Sequence, residues 1–145
     1  MRIIHIALTI LLSIPMFACS DGTVHSDQQS ETNLAQQSQI NRDIDATEMH
    51  QLISESAEPI ILDVRTEGEL AGGMLPNAQH IDFYNADFED QLSKLDKNRP
   101  VFVYCAAGGR SGKAKKMMKN LDFKEVYNLK GGFPTWQSAG FEISK

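Results

Sequence analysis

The chain has 145 residues, a length that suits one domain with a single core rather than two domains. Its formal net charge at pH 7 is -5 and it has no long basic run, which argues against a nucleic-acid partner. The two cysteines and four histidines are scattered, with no Cys-x-x-Cys pair and no Cys/His cluster. We therefore expect no zinc site and no other bound metal.

Residues 1–19 are typical of a secretory signal peptide. Arg2 supplies a positive start, and residues 3–14 form an almost wholly apolar run that is too short to span a bilayer as a mature helix. Ala18 directly before Cys19 resembles the end of a bacterial lipobox, in which the cysteine is lipidated and becomes the mature N-terminus. The alternative is ordinary cleavage near Ala18, which would leave a soluble periplasmic protein.

Residues 20–39 are polar, rich in Gln and Ser, and show neither helical nor strand periodicity. They predict a flexible tether that reaches on the order of 25 Å. Ser20 rather than an aspartate follows the lipobox cysteine, which in lipoprotein sorting of the enterobacterial kind indicates the outer membrane. We expect an exported, monomeric protein in the bacterial cell envelope, attached to the membrane through lipidated Cys19.

From residue 40 to residue 145, apolar segments typical of strands alternate with helical patterns. Strands are predicted at 60–62, 80–81, 101–104 and 125–128. Helices are predicted from a cap at Asp45 to Pro59, at 66–71, around 88–95, at 111–121, and after Gly131-Gly132, where Phe133 and Trp136 are core residues. This alternation predicts an α/β domain with a parallel sheet covered by helices on both faces.

The most informative segment is the apolar strand 101–104, which ends in Cys105. A small loop follows, then Arg110, Ser111 and a basic helix. The N–H groups of such a loop and the helix N-terminus form a positive concavity, so we expect the pKa of the Cys105 thiol to be lowered. The alternative is a buried structural cysteine, but that would not explain two glycines and an arginine within five residues.

Four blocks of the sequence, in this order, together resemble a single-domain rhodanese, a sulfurtransferase, over residues 40–145. They are Leu62-Asp63-Val64-Arg65 with Glu69-Leu70, then Gly73-Met74-Leu75-Pro76-Asn77-Ala78, then Cys105 to Ser111, then Leu129-Lys130-Gly131-Gly132-Phe133 with Trp136 and Gly140. Two positions depart from the family pattern: Met74 replaces the usual His and Asn77 the usual Gly. Asparagine tolerates left-handed backbone angles, so we expect the turn at Asn77 to survive.

The resemblance implies a central five-stranded parallel sheet and a reaction that needs no cofactor. Cys105 would take a sulfane sulfur from a small donor such as thiosulfate or a persulfide and pass it to a thiol or cyanide. The implied substrate-binding residues are those of the loop: Ala106, Ala107, Gly108, Gly109, Arg110 and Ser111. Arg110 would either hold an anionic donor or form a structural salt bridge, and Ser111 is favoured as a helix cap over a hydrogen-bond donor to the persulfide.

Asp63 and Arg65 are charged and follow a strand, but we expect them to pair with other loops and to support the scaffold. Rhodaneses that favour thiosulfate often carry cations in this loop, whereas the loop between Cys105 and Arg110 carries none. The resemblance therefore implies a neutral or protein-bound persulfide as the donor and a high KM for thiosulfate. The Cys-x4-Arg spacing argues against a phosphatase, whose related fold uses Cys-x5-Arg.

Two further hypotheses come from other classes of function. One is a non-catalytic binding module with the same fold, tethered to the envelope; the intact Cys105 argues against it. The other is thiol redox work, which would need a resolving cysteine. Apart from Cys19, the sequence has no other cysteine to pair with Cys105.

Overall fold

The computed structural model describes residues 39–145. The elements in chain order are β1 (Ile40–Ile44), α1 (Ala46–Glu55), β2 (Ile60–Asp63), a 3-10 helix (Glu67–Gly72), β3 (Gln79–His80), α2 (Phe88–Ser93), β4 (Val101–Tyr104), α3 (Gly109–Asn120), β5 (Glu125–Leu129) and α4 (Phe133–Ser138). The predicted signal peptide with Cys19, and the predicted tether up to residue 38, lie outside the described residues. Across residues 39–145, every helix is too short or too polar to cross a bilayer.

The five strands form one parallel sheet in the order β1-β5-β4-β2-β3, which confirms the predicted α/β class and its parallel sheet. β4 is the central strand, and its Val103 pairs with Leu62 of β2 and Asn128 of β5. All residues of β2 and β4 are buried, as expected for strands covered on both faces. Because all strands run in the same direction, the segments that follow them meet at one edge of the sheet.

Two apolar clusters lie on the opposite faces of the sheet. Alternation along β4 sends Val101 and Val103 into one cluster and Phe102 and Tyr104 into the other. The first cluster packs against α2 and α3, and the second against α1 and α4. Phe133 and Trp136, predicted as core residues of the last helix, are 5% and 3% exposed, which confirms that prediction. Helices therefore cover both faces.

The sequence located only four of the five strands, because β1 is a polar edge strand. It reads Ile-Asn-Arg-Asp-Ile, pairs only with β5, and buries only Ile44. Its Asp43 accepts hydrogen bonds from Lys115 of α3 and from Asn128 of β5. An edge strand has one pairing partner and one buried position here, so an apolar pattern does not reveal it.

Three local predictions, a helix cap, a short helix and a left-handed turn, agree with the structure. Asp45 caps α1 by accepting a hydrogen bond from the backbone N–H of Glu48 at 2.9 Å. The predicted short helix at 66–71 is the 3-10 helix, in which the Glu69 carboxylate accepts from both the N–H and the hydroxyl of Thr66. Asn77 has a φ of 58°, so the left-handed turn expected there is present.

Candidate active site

Cys105 lies directly after the central strand β4, at the edge where the strand ends meet. Only 1% of the residue is exposed, whereas Ala107 of the following loop and Gly109 at the start of α3 are exposed. The sulfur accepts a hydrogen bond from the backbone N–H of Gly108 at 3.1 Å. It lies 3.4 Å from the Ser111 hydroxyl, which donates to it. The loop thus curls around the sulfur with donors directed at it.

Two opposing effects act on the pKa of Cys105. Burial raises the pKa of the thiol, because a thiolate loses hydration in the interior. Hydrogen bonds from the Ser111 hydroxyl and from the backbone N–H groups of Ser111, Ala107 and Gly108 lower the pKa and outweigh burial. The net pKa is below that of an ordinary cysteine, so the site favours the nucleophilic thiolate.

The placement of Ser111 corrects one expectation. The helix α3 begins at Gly109, two residues earlier than predicted, and its cap position is Gly108. Gly108 has a φ of 87°, a left-handed conformation that turns the chain from the loop into the helix. Ser111 therefore lies inside the first turn, fully buried, with its hydroxyl on the Cys105 sulfur rather than on a helix-end N–H. It is a hydrogen-bond donor to the sulfur and not a helix cap.

The turn at Gly131 and Gly132, which follows β5, contacts the backbone of Cys105. The Phe133 N–H donates to the Cys105 carbonyl at 2.8 Å. A Cβ on Gly132 would lie 2.3 Å from that carbonyl oxygen, and the φ of Gly132 is 68°. Only glycine fits such a close backbone approach. The sequence showed a Gly-Gly pair here, but its contact with the cysteine loop depends on two distant segments meeting in space.

Arg110, whose role the sequence left open, forms a salt bridge with Glu69. Its two terminal nitrogens lie 2.8 and 2.7 Å from the two carboxylate oxygens of Glu69, in the bidentate geometry that suits a guanidinium. Hydrogen bonds from Arg110 and, to a smaller extent, from the Thr66 N–H and hydroxyl lower the pKa of Glu69 to about 2, and Glu69 raises the pKa of Arg110 above its ordinary value. The charge at the end of the loop is therefore paired. The sequence named Glu69 in a motif but did not predict its partner.

A second pair, Arg65 with Asp63, ties the neighbouring segments together. The Arg65 guanidinium lies 2.6 Å from the Asp63 carboxylate and donates to the carbonyls of Glu69 and Gly73. It also lies 4.1 Å from the centre of the Phe133 ring, within cation–π distance. Burial lowers the pKa of Arg65. The hydrogen bond and the charge of Asp63 raise the pKa, and the net pKa is above the ordinary value. The sequence predicted pairing with other loops; instead the two side chains pair with each other, and Arg65 reaches the neighbouring segment through the Glu69 and Gly73 carbonyls.

Residues 45–139 match the model of the rhodanese-like domain. The chain belongs to the rhodanese-like family. This match extends over most of the described residues, from the cap of α1 to the end of α4, and it includes every contact to the sulfur described above.

Relatives of this rhodanese-like chain include named sulfurtransferases. A protein of Allochromatium vinosum named "Sulfurtransferase" is 30% identical over 101 residues, which are 70% of this chain and 92% of that protein. The "Thiosulfate sulfurtransferase GlpE" of Coxiella burnetii is 37% identical over 54% of this chain and 72% of its own length. The crystal structure of a rhodanese-like domain protein from Staphylococcus aureus superposes with a TM-score of 0.60 at 32% identity, covering 72% of this chain and 99% of that one.

The structure also shows the surroundings of Met74, which departs from the rhodanese-like pattern, and of three basic residues. Met74 is half-buried, and its backbone pairs with Ser144. His80 places its Nε2 2.8 Å from the Arg65 carbonyl, a partner that the sequence did not reveal. Lys113 and Lys116 of α3 are exposed. Among residues 39–145, no three His, Cys, Asp or Glu side chains cluster closely enough to hold a metal ion.

Proposed function

We propose that this protein transfers a sulfane sulfur from a donor to a thiol acceptor through a persulfide on Cys105. The observation that carries the proposal is the set of donors on the Cys105 sulfur: the Gly108 N–H at 3.1 Å and the Ser111 hydroxyl at 3.4 Å. Donors arranged in this way stabilise an anionic sulfur, and both the thiolate and the persulfide are anionic. Similarity to named sulfurtransferases supports the same reading.

The reaction has two steps. In the first step, the Cys105 thiolate attacks the outer sulfur of the donor, forms a new S–S bond, and the electron pair of the broken bond leaves with the first product. With thiosulfate, that product is sulfite. In the second step, an acceptor thiolate attacks the outer sulfur of the persulfide and Cys105 departs as thiolate. Cyanide can replace the thiol and leaves as thiocyanate.

A neutral or protein-borne persulfide fits the loop better than thiosulfate does. The loop residues between Cys105 and Arg110 are uncharged, and the Arg110 guanidinium is bound by both oxygens of Glu69. A dianion entering the loop would therefore meet backbone N–H groups but no unpaired guanidinium at the end of the loop. We expect a high KM for thiosulfate, and saturation at low micromolar thiosulfate would contradict this part of the proposal.

The test is intact mass spectrometry of the full-length protein, reduced and then exposed to a donor, beside Cys105→Ser. We expect wild type to gain the mass of one sulfur atom, cyanide to remove it as thiocyanate, and Cys105→Ser to gain nothing. An adduct with an organic persulfide but not with thiosulfate would assign the donor class. If the folded, reduced protein gained no sulfur from any donor, the proposal would fail and a non-catalytic binding module would be favoured.

We further propose that the reaction takes place in the cell envelope, on the basis of the signal-like residues 1–19 and the cysteine at their end. Metabolic labelling with a tagged fatty acid tests the anchor. Label on wild type that is lost in Cys19→Ser, but kept in Cys105→Ser, is the expected result. Export without label would show ordinary cleavage near Ala18 instead.

A further inference from the structure

Tyr84 is an exposed aromatic residue next to the loop that holds Cys105. It lies in the segment between β3 and α2, so it follows a strand whose carboxyl end is at the same edge of the sheet as Cys105. Its exposed fraction is 69%, the largest among the large apolar side chains of residues 39–145. A single exposed aromatic residue is ordinary on a surface, so its surroundings decide whether it has a role.

The surroundings hold the Tyr84 ring in place. Its backbone N–H donates to the Asp82 carboxylate at 2.9 Å, which closes a tight local turn. The ring meets Phe83 edge-on, with centroids 5.6 Å apart, and Phe83 in turn packs on buried Phe88 at 5.1 Å. The ring is thus exposed to solvent but supported by the core. Little rotamer freedom would be lost if a ligand packed against it.

Arg110 connects the Tyr84 ring to the loop. The Arg110 guanidinium carbon lies 5.6 Å from the centre of the Tyr84 ring, within cation–π distance. The edge of the same guanidinium is occupied by the two oxygens of Glu69. Beside the loop there is consequently an exposed aromatic ring and a paired cation. That chemistry suits an organic group better than an inorganic anion.

We propose that Tyr84 is a specificity-determining residue that contacts the organic group of the sulfur donor. The donor class is a sulfane sulfur compound with an aryl or alkyl group on the inner sulfur, which leaves with the first product when the outer sulfur is transferred. This inference rests on the proposed sulfur transfer and adds to it a preference among donors. The reacting sulfur enters the loop at Cys105 while the organic group packs on the ring of Tyr84.

Two donors with different leaving groups test this. Thiosulfate and benzenethiosulfonate each give their outer sulfur to the Cys105 thiolate; the S–S bond to the old partner breaks, and its electron pair leaves with sulfite or benzenesulfinate. Only the second donor carries a ring. For Tyr84→Ala we expect kcat/KM for benzenethiosulfonate to fall about fivefold, mainly through KM. For thiosulfate we expect a change of less than about twofold.

Two variants serve as controls. Tyr84→Phe keeps the ring and should retain the preference for benzenethiosulfonate. Ile40→Ala removes another exposed apolar side chain, at the start of β1 and so at the opposite end of the sheet. It should leave kcat/KM unchanged for both donors. Equal melting temperatures would show that all variants are folded.

The outcomes separate the two proposals. If Tyr84→Ala lowered kcat/KM for both donors equally, or for neither, the role of Tyr84 would be refuted while the sulfur transfer stood. If wild type took sulfur from no donor at all, the proposed function would fail first, and this inference with it.

Discussion

Two neighbouring arginine–carboxylate ion pairs at the site differ in burial. Arg65 and Asp63 have side chains that are 3% and 0% exposed, whereas those of Arg110 and Glu69 are 17% and 34% exposed. The pairs are joined through Glu69, whose backbone carbonyl accepts from Arg65 and whose carboxylate binds Arg110. Two arginine–carboxylate ion pairs of different burial are therefore adjacent in space.

The difference in depth separates a structural role from an electrostatic one. A buried pair has lost its hydration, so removing one partner leaves an uncompensated charge in the interior. A partly exposed pair is screened by water and contributes little to stability, but it decides how much charge the neighbouring loop presents to a substrate. We therefore assign the buried pair to the scaffold and the outer pair to the properties of the site.

The largest effect should come from breaking the buried pair. Arg65→Met leaves Asp63 buried without its partner, and we expect the free energy of unfolding to fall by about 3–5 kcal/mol. Arg110→Met is the matched control and should cost about 1 kcal/mol. Urea unfolding of both variants measures the difference. Similar losses in the two variants would show that depth does not separate the roles of the pairs.

The second effect concerns the source of thiolate stabilisation. Ser111→Ala removes the hydroxyl that lowers the pKa of Cys105, so the pKa should rise and less thiolate should be present at neutral pH. We expect alkylation of Cys105 at pH 7 to slow about tenfold. The pH profile of alkylation measures the shift. Arg110→Met should slow alkylation less, because Glu69 already pairs that charge; the reverse order would assign thiolate stabilisation to the outer pair.

The third effect concerns the charge presented by the outer pair. Glu69→Gln keeps an oxygen for the Thr66 N–H but removes the negative charge that balances the Arg110 guanidinium. An anionic donor should then bind better, and we expect kcat/KM for thiosulfate to rise about threefold. Glu67→Gln is the control, since this exposed residue lies on the same 3-10 helix. A fall in kcat/KM with Glu69→Gln would mean that the pair positions the loop rather than masking charge.

The smallest effect is the pH dependence of the outer pair. Hydrogen bonds from Arg110, with smaller ones from Thr66, lower the pKa of Glu69 from 4.5 to about 2 in the folded protein, so the stabilisation is fully present above pH 4.5 and is lost as the pH falls toward 2. Since the Glu69 side chain is about a third exposed, we expect at most about 1 kcal/mol. The unfolding free energies of wild type and Glu69→Gln should therefore converge on acidification. A constant difference from pH 5 to pH 2 would argue against the pairing.

Most of the α/β pattern was predictable because local signals and buried strands agree. The apolar runs at β2 and β4 and the cap at Asp45 follow directly from residue type and spacing. The edge strand β1 was not located, because its pairing with β5 rather than its composition makes it a strand. The start of α3 was placed two residues late, because the left-handed Gly108 rather than Ser111 begins the helix.

By itself, the sequence determined that one cysteine stands between a buried strand and a helix, in a small neutral loop, and that four motifs follow the rhodanese-like order. Only the tertiary structure decided which groups meet there. In the structure the Ser111 hydroxyl donates to the Cys105 sulfur, and Glu69 forms a salt bridge with Arg110. Gly132 packs against the Cys105 carbonyl. Residue type and spacing predict local backbone conformation, but the partner of a charge or a close backbone approach depends on segments brought together by the packing of the sheet.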